Sequence, residues 1–240
     1  MSLEVCNGFQ VGVVIPAHDE EANIGAAIES VRASLLDAGV HATIVVVADA
    51  CSDATAAVAR RHLGTDDAVL ELTTRSVGVA RAHGARLALE RLGSPSRTWL
   101  LSLDADSRAP RRWVARHLAH ADRGVECVTG LVELDEHAAP ELRRALAASY
   151  LERVTASAHP HVHGTNFGIR GDTLLAAGNW PALATGEDHA LWRAVGLLGR
   201  PRVQDPAIVV RTSARLTGRA PAGFAADLAG LAAPPLEGVG

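Results

Sequence analysis

Trp99-Leu100-Leu101-Ser102-Leu103-Asp104-Ala105-Asp106 sets an apolar run directly against two carboxylates. Trp99 to Leu103 form a short apolar run of the length of a buried strand, and the two carboxylates stand where that strand leaves its sheet. In an extended segment residues two apart point to the same side, so Asp104 and Asp106 are expected to converge. Together they suit one hard divalent cation, Mn²⁺ or Mg²⁺, which takes oxygen ligands and shares them with substrate phosphates, or one binds the metal and the other a ligand hydroxyl. Alone the pattern carries little weight, because Asp is frequent in loops for turn reasons.

Working outward, the first half alternates strand and helix signals. Val11 to Ile15 is an apolar run ending at Pro16, followed by the polar loop His18-Asp19-Glu20-Glu21. Asn23 to Leu36 has helical spacing, with Ile24, Ile28, Val31 and Leu35 on one face. Thr43 to Val47 is a β-branched run, Thr55 to His62 a helix, Ala68 to Leu72 a third strand, Val77 to Leu92 a helix and Thr98 to Leu103 the fourth strand. Such alternation predicts an α/β fold, a Rossmann-like and mainly parallel sheet flanked by helices. Ligands of these sheets bind beyond the carboxyl ends of the strands. Asp19-Glu20, Asp49 and Asp104-Asp106 all fall there. The second half is less regular: a helix over Pro110 to Ala121, a strand over Val125 to Leu134, a long helix over Pro140 to Ala158, a short one from Asp172, and an Ala-rich helix near Gly223 to Ala232.

Composition narrows the class. The chain has 240 residues with 48% apolar and 21% charged, as in an ordinary globular domain. A net charge of −4 gives no basic footprint for nucleic acid. No run reaches the roughly 18 to 20 apolar residues that cross a bilayer, although peripheral membrane contact is left open. Met1 to Gln10 carries Glu4 and lacks the pattern of a secretory signal. Cys6, Cys51 and Cys127 are odd in number and widely spaced, which predicts a reduced, cytoplasmic chain without a disulfide framework or zinc site.

Five segments now stand in a telling order: Val13 to Glu21 (VVIPAHDEE), Val46 to Thr55 (VVADACSDAT), Gly78 to Arg81 (GVAR), Asp104 to Asp106 (DAD) and Gly186 to Asp188 (GED). In this order they resemble the family 2 glycosyltransferases over roughly residues 11 to 220. The resemblance implies a GT-A fold and an inverting transfer from a nucleoside-diphosphate sugar, UDP- or GDP-linked, to an acceptor hydroxyl of unknown identity. It implies one domain over residues 1–232, with a nucleotide-sugar-binding half at 11–108, an acceptor half at 109–232 and a frayed tail at 233–240.

The family's roles transfer position by position. Pro16, Ala17, Asp19 and Glu20 match the loop beside the nucleotide, where Asp19 or Glu20 would meet ribose or base; Glu20 and Glu21 equally suit a helix N-terminus. Asp49 matches the acid that accepts a hydrogen bond from the base, while Ala48 stands where relatives often carry another acid. Asp53, followed by Thr55, reads as helix capping. Arg81 matches a cation at the nucleotide or its diphosphate, with Gly78 and Gly84 allowing close backbone approach. Asp104-Ala105-Asp106 matches the Asp-x-Asp element, with Asp106 the preferred direct metal ligand. Glu187-Asp188 matches the pair that supplies the base; Asp188 is assigned that role and Glu187 an acceptor-side or structural one. Inverting transfer needs such a carboxylate to take the acceptor proton as the bond to the anomeric carbon forms.

Other residues stay open at this point. Asn166, Trp180 and Arg215 are placed on the acceptor side or in a closing lid, although Trp180 also reads as a core anchor. Arg211, Arg215 and Arg219 read as closing over the diphosphate from a C-terminal loop or, equally, as a solvated basic face. His159, His161 and His163 have metal-ligand spacing on paper, but Pro160 and the polar context favour loop histidines near the acceptor. Among other classes, a nucleotidyltransferase would carry a Gly-rich basic loop after its first strand, and a dehydrogenase Gly-x-Gly-x-x-Gly. Pro16 to Glu21 is acidic instead. The Gln-x-x-Arg-Trp pattern of processive synthases is absent. A non-catalytic nucleotide-sugar binder is the alternative that the carboxylates argue against.

Overall fold

The computed structural model describes residues 8–151, 155, 159–183, 185–215 and 224–232, without the side chains of residues 151, 226, 227, 231 and 232. At the centre lie β1 (Gln10–Ala17), β2 (Ala42–Asp49) and β4 (Thr98–Ser102), with β1 parallel to both neighbours. Their side chains of both parities are buried, which is why these segments read as continuous apolar runs rather than alternating ones. Val11, Val13 and Ile15 face a layer formed by α1 (Ile24–Ala38) and α4 (Trp113–Ala121). Val14 faces the opposite layer, which holds α3 (Val77–Leu92) and α7 (Glu187–Leu197).

The predicted stripe of α1 is the buried one: Ile24, Ile28, Val31 and Leu35 all sit in the core. Each such aliphatic side chain contributes about 1.5–3 kcal/mol on burial. Gly39, in the left-handed conformation at φ 63°, ends the helix by donating its N–H to Leu35 and Leu36. On the other face, α3 lies close because it carries Gly84. A Cβ there would come within 2.5 Å of Val14 Cγ1 and 2.9 Å of Val47 Cγ2. That glycine therefore serves sheet packing, not the approach of a nucleotide.

Four further strands complete a seven-stranded sheet: β3 (Ala68–Leu72), β5 (Cys127–Leu134), β6 (Phe167–Arg170) and β7 (Arg202–Thr212), in the order β3-β2-β1-β4-β6-β5-β7. β6 runs antiparallel to β4 and β5, so the sheet is mixed on this side. Neither β6 nor β7 is predicted by pattern. β6 has only four residues, and β7 is an edge strand that carries Asp205 and Pro206 and pairs irregularly with β5. α2 (Thr55–His62), α5 (Pro140–Leu151), α6 (Gly171–Ala176) and α8 (Phe224–Ala232) complete the α-helices among the described residues. The helix predicted from Pro110 begins instead at Trp113, after a turn closed by Trp113 N–H and the Pro110 carbonyl. Residues 152–154 and 156–158 of the predicted long helix, Arg219 and the predicted tail lie outside the described residues. Among the described residues no helix is long and apolar enough to cross a membrane.

Candidate active site

A cleft of about 510 Å³ opens where β1, β2 and β4 end, bounded across the way by the start of α7. Pro16, Ala17, Glu20, Asp49, Arg81, Asp104, Ala105, Asp106, Glu187, Asp188 and Arg215 all line it. The fold therefore gathers most of the sequence-predicted site into one place. Asp19, Gly78, Asn166 and Trp180 have other surroundings, described below.

The Asp-x-Asp segment is not extended. Ser107 N–H donates to the Asp104 carbonyl at 3.0 Å, so residues 104–107 form a turn after β4, and it is this turn that brings the two carboxylates to the cleft. A chain of hydroxyls secures it. Asp104 N–H donates to Thr165 Oγ1, Thr165 to Ser107 Oγ, and Ser107 to Thr212 Oγ1. Asp106 is nearly buried, its side chain 8% exposed. Burial, only partly offset by Arg215 and reinforced by the charges of Asp104 and Glu20, pushes its carboxyl up to about 6. Two acids crowded in a partly dry site call for a cation, and an all-oxygen donor set fits Mn²⁺ or Mg²⁺.

Two arginines answer that charge. Arg215 spans Glu20 and Asp106, with Nη2 at 2.9 Å from Asp106 Oδ2. Glu20 also accepts from Asn23 Nδ2 and is 4% exposed, so it faces the site rather than acting as solvent-exposed helix-end charge. Arg81 is 3% exposed and is committed on every side: Nε donates to Ser102 Oγ, Nη2 to Asp104 Oδ1 at 2.6 Å, and Nη1 to Glu187. Burial opposes its charge, but Asp104, Glu187 and Asp188 more than offset this and hold the guanidinium above its usual range.

The acidic pair of α7 divides accordingly. Glu187 is buried and bound to Arg81; desolvation raises its carboxyl even against that partner. Asp188 is less buried, and its oxygens accept from Gly164 N–H at 2.8 Å and from its own neighbour His189 N–H at 2.7 Å. The 163–164 segment and the turn of His189 thus orient a carboxylate at the cleft wall.

Several expectations change. Asp49 does not hold its carboxylate out for a base. It accepts from Thr74 N–H, Thr74 Oγ1, Arg75 N–H and Ser76 N–H, which meets the roughly four acceptor positions of a carboxylate. Its work is to fasten the loop before α3, so that Arg75 and Ser76 line the cleft. Asp19 faces the loop after β2, accepting from Ser52 N–H, Ser52 Oγ and Asp53 N–H, and the Ser52 N–H bond is the main cause of its lowered carboxyl. Gly78 admits the Pro181 carbonyl, which a Cβ would meet at 2.2 Å; the close approach is within the protein.

Asn166 and Trp180 are internal. Asn166 is fully buried, donating to the Leu131 and Ile208 carbonyls and accepting from Trp113 Nε1. It braces β5, β7 and α4 and does not line the cleft. Trp180 is 6% exposed, its ring 5.0 Å from that of Phe167 and 5.2 Å from Arg81 Cζ. It is a core anchor beneath Arg81. Arg211 is exposed and pairs with Glu133, as a solvated basic residue would.

His159, His161 and His163 stack as a row, with centroids 6.1 and 6.0 Å apart and planes 24° and 5° from parallel. Tyr150 Oη lies 2.9 Å from His163 Nε2, and Phe224 packs edge-on against the same ring. Burial and the neighbouring histidines push His163 down to about 3, so it is neutral. His161 and His163 wall one side of the cleft. Sequence reasoning missed Ser102, Thr165, Ser107 and Thr212, which set Arg81 and the turn. A lone hydroxyl carries no motif, so no signal pointed to them.

Comparison with known proteins gives a consistent result. The family model described as glycosyl transferase family 2 matches residues 12–174. A comparison with curated proteins gives no match. Among solved structures, a mannosyltransferase from Pyrobaculum calidifontis in complex with GDP-Man and Mn²⁺ superposes with a TM-score of 0.64 at 23% identity, covering 87% of this chain and 58% of that one. S. aureus TarS 1–349 in complex with UDP-GlcNAc gives 0.63 at 15%, covering 90% and 62%. Glucosyl-3-phosphoglycerate synthase from Mycobacterium tuberculosis, with Mn²⁺, UDP-Glc and phosphoglyceric acid, gives 0.59 at 19%, covering 88% and 74%. The chain spans less than two thirds of the length of the first two, and at these identities the likeness is one of fold.

Proposed function

Because the chain belongs to glycosyl transferase family 2, we propose that it transfers a sugar from a nucleoside-diphosphate sugar to an acceptor hydroxyl, with inversion at the anomeric carbon. One observation carries the reading. A single buried guanidinium, Arg81, ties Asp104 of the Asp-x-Asp turn to Glu187 at the start of α7. The carboxylates suited to a cation and the adjoining candidate base are thereby fixed on one cleft.

Asp104 and Asp106 would hold Mn²⁺ or Mg²⁺, which supplies Lewis-acid stabilisation of the charge growing on the leaving diphosphate. Structures of the mannosyltransferase and the phosphoglycerate enzyme contain Mn²⁺, which supports that assignment. Asp188 takes the proton of the attacking hydroxyl, oriented by the N–H groups of Gly164 and His189. Glu187 is held on Arg81, and its part is to position α7 rather than to accept a proton. Arg215, already engaged with Glu20 and Asp106, is placed to meet phosphate oxygens once a donor enters. The loop that Asp49 fastens presents Arg75 and Ser76 to the nucleobase.

A thermal-shift panel of nucleoside diphosphates with and without Mn²⁺ tests the binding half of this reading. A ligand at a hundred times its dissociation constant stabilises by about 2.7 kcal/mol, a readily measured shift. The nucleotide that binds then selects the sugars for a hydrolysis and transfer assay. Binding without any Mn²⁺-dependent hydrolysis or transfer across that panel favours a non-catalytic binder.

A further inference from the structure

Beside the cleft, which His18 also lines, the loops after β1 and β2 bring together three side chains of different chemistry. One ligating atom each from His18, Asp19 and Cys51 lies within 4.8 Å of the others, the one group with that spacing among the described residues. The histidine row 159–163 does not share it. We propose that His18, Asp19 and Cys51 form a second metal site, for a borderline-soft divalent cation of the Zn²⁺ type, clasping the β1 loop to the β2 loop.

The donors are arranged as ligands are. His18 Nδ1 lies 2.8 Å from the Asp49 carbonyl, which can only accept, so Nδ1 carries a proton and Nε2 is the ring nitrogen turned toward Asp19. A backbone carbonyl behind the ring in this way is the usual outer partner of a metal-bound histidine. Nε2 faces Asp19 Oδ2 at 3.7 Å. That is too long for a hydrogen bond, but two ligands at about 2.0–2.2 Å on a tetrahedral Zn²⁺ lie roughly 3.4 Å apart. The other Asp19 oxygen, Oδ1, is fixed by Ser52 and Asp53, which holds the carboxylate in this orientation.

Cys51 completes the set. Its Sγ accepts from Asp19 N–H at 3.4 Å and donates to the Ala17 carbonyl at 3.4 Å. On metal binding the thiol proton passes to solvent, the bond to Ala17 is lost and a sulfur–metal bond forms, while the Asp19 N–H remains to stabilise the thiolate. Sulfur, imidazole nitrogen and one carboxylate select Zn²⁺ over Mg²⁺ or Mn²⁺, the reverse of the all-oxygen pair Asp104 and Asp106. Three protein ligands leave a fourth position for water. Cysteine spacing predicted no zinc site because these ligands come from loops more than thirty residues apart, around a single cysteine.

Cobalt(II) is the probe. After chelator treatment, the intact protein titrated with Co²⁺ is expected to bind one equivalent with sulfur-to-cobalt charge-transfer absorption, and Zn²⁺ to bleach it. Asp106→Asn is expected to keep the band and Cys51→Ser to lose it, with melting curves confirming that both variants fold. On the wild-type protein, Zn²⁺ but not Mg²⁺ is expected to protect Cys51 from alkylation, read by peptide mapping. Absence of the band, its persistence in Cys51→Ser, or alkylation of Cys51 unaffected by Zn²⁺ would overturn the site and leave a His18–Asp19 ion pair beside a thiol.

Discussion

Arg81 and Glu187 are paired in the floor of the cleft although 106 residues separate them in the chain, and both side chains are less than a tenth exposed. Removing one member of such a pair leaves an uncompensated buried charge, which typically costs about 3–5 kcal/mol. Arg81→Leu strands Asp104 as well as Glu187. It is expected to lower the unfolding free energy by about that amount in urea denaturation, and a loss below about 1 kcal/mol is incompatible with the pairing described.

Asn166 offers a test between brace and acceptor contact. Asn166→Ala leaves the Leu131 and Ile208 carbonyls and Trp113 Nε1 without this partner in the core. Each unsatisfied buried group costs about 1–3 kcal/mol, so the melting temperature is expected to fall steeply. A normally stable variant with a raised acceptor KM points instead to the acceptor role first read from sequence.

Acid sensitivity follows from His117. Burial, against a long contact at 3.4 Å to Asn166, lowers the ring from 6.5 to about 3. Between those values the unfolded chain binds a proton that the folded chain refuses. The contribution is therefore complete above pH 6.5 and is lost progressively as pH falls toward 3. Neutral His163, lowered to about 3 by burial, adds to the same slope. Denaturant unfolding across this range is expected to show it, and His117→Gln to make it shallower; an unchanged slope in the variant excludes His117 as a source.

Asp106 carries the expectation for metal. Asp106→Asn is expected to weaken nucleoside diphosphate binding and to erase the benefit of Mn²⁺ in thermal shift. Since its carboxyl sits at about 6, the Mn²⁺ benefit in the wild type should grow as pH rises through that value. Metal-independent binding of equal strength in the variant removes the support for a cation at this turn.

The sheet's centre was legible because burial on both faces writes itself as unbroken Val, Ile and Leu in β1, β2 and β4. β7 was not, since an edge strand tolerates Gln204, Asp205 and Pro206 and so lacks any periodic signal. Cleft-lining positions were legible where a strand's carboxyl end coincides with an acid, as at Asp104 and Asp106. Direction was not. Asp49 stands at such an end yet turns to Thr74, Arg75 and Ser76, and Trp180 turns inward under Arg81, because side-chain partners come from loops whose approach no local pattern encodes. The turn at Asp104–Ser107 likewise replaced an extended segment through a bond that the residues alone do not reveal.

The decisive variant is Asp188→Asn. With the nucleotide sugar that gives the largest Mn²⁺-dependent thermal shift, donor affinity and turnover are measured side by side in wild type and Asp188→Asn. General-base catalysis contributes roughly 10² to 10⁴ in rate, so turnover is expected to fall by about that factor while donor affinity stays within a few-fold. Near-normal turnover in Asp188→Asn, or a loss confined to donor affinity, contradicts the assignment of Asp188 as the base.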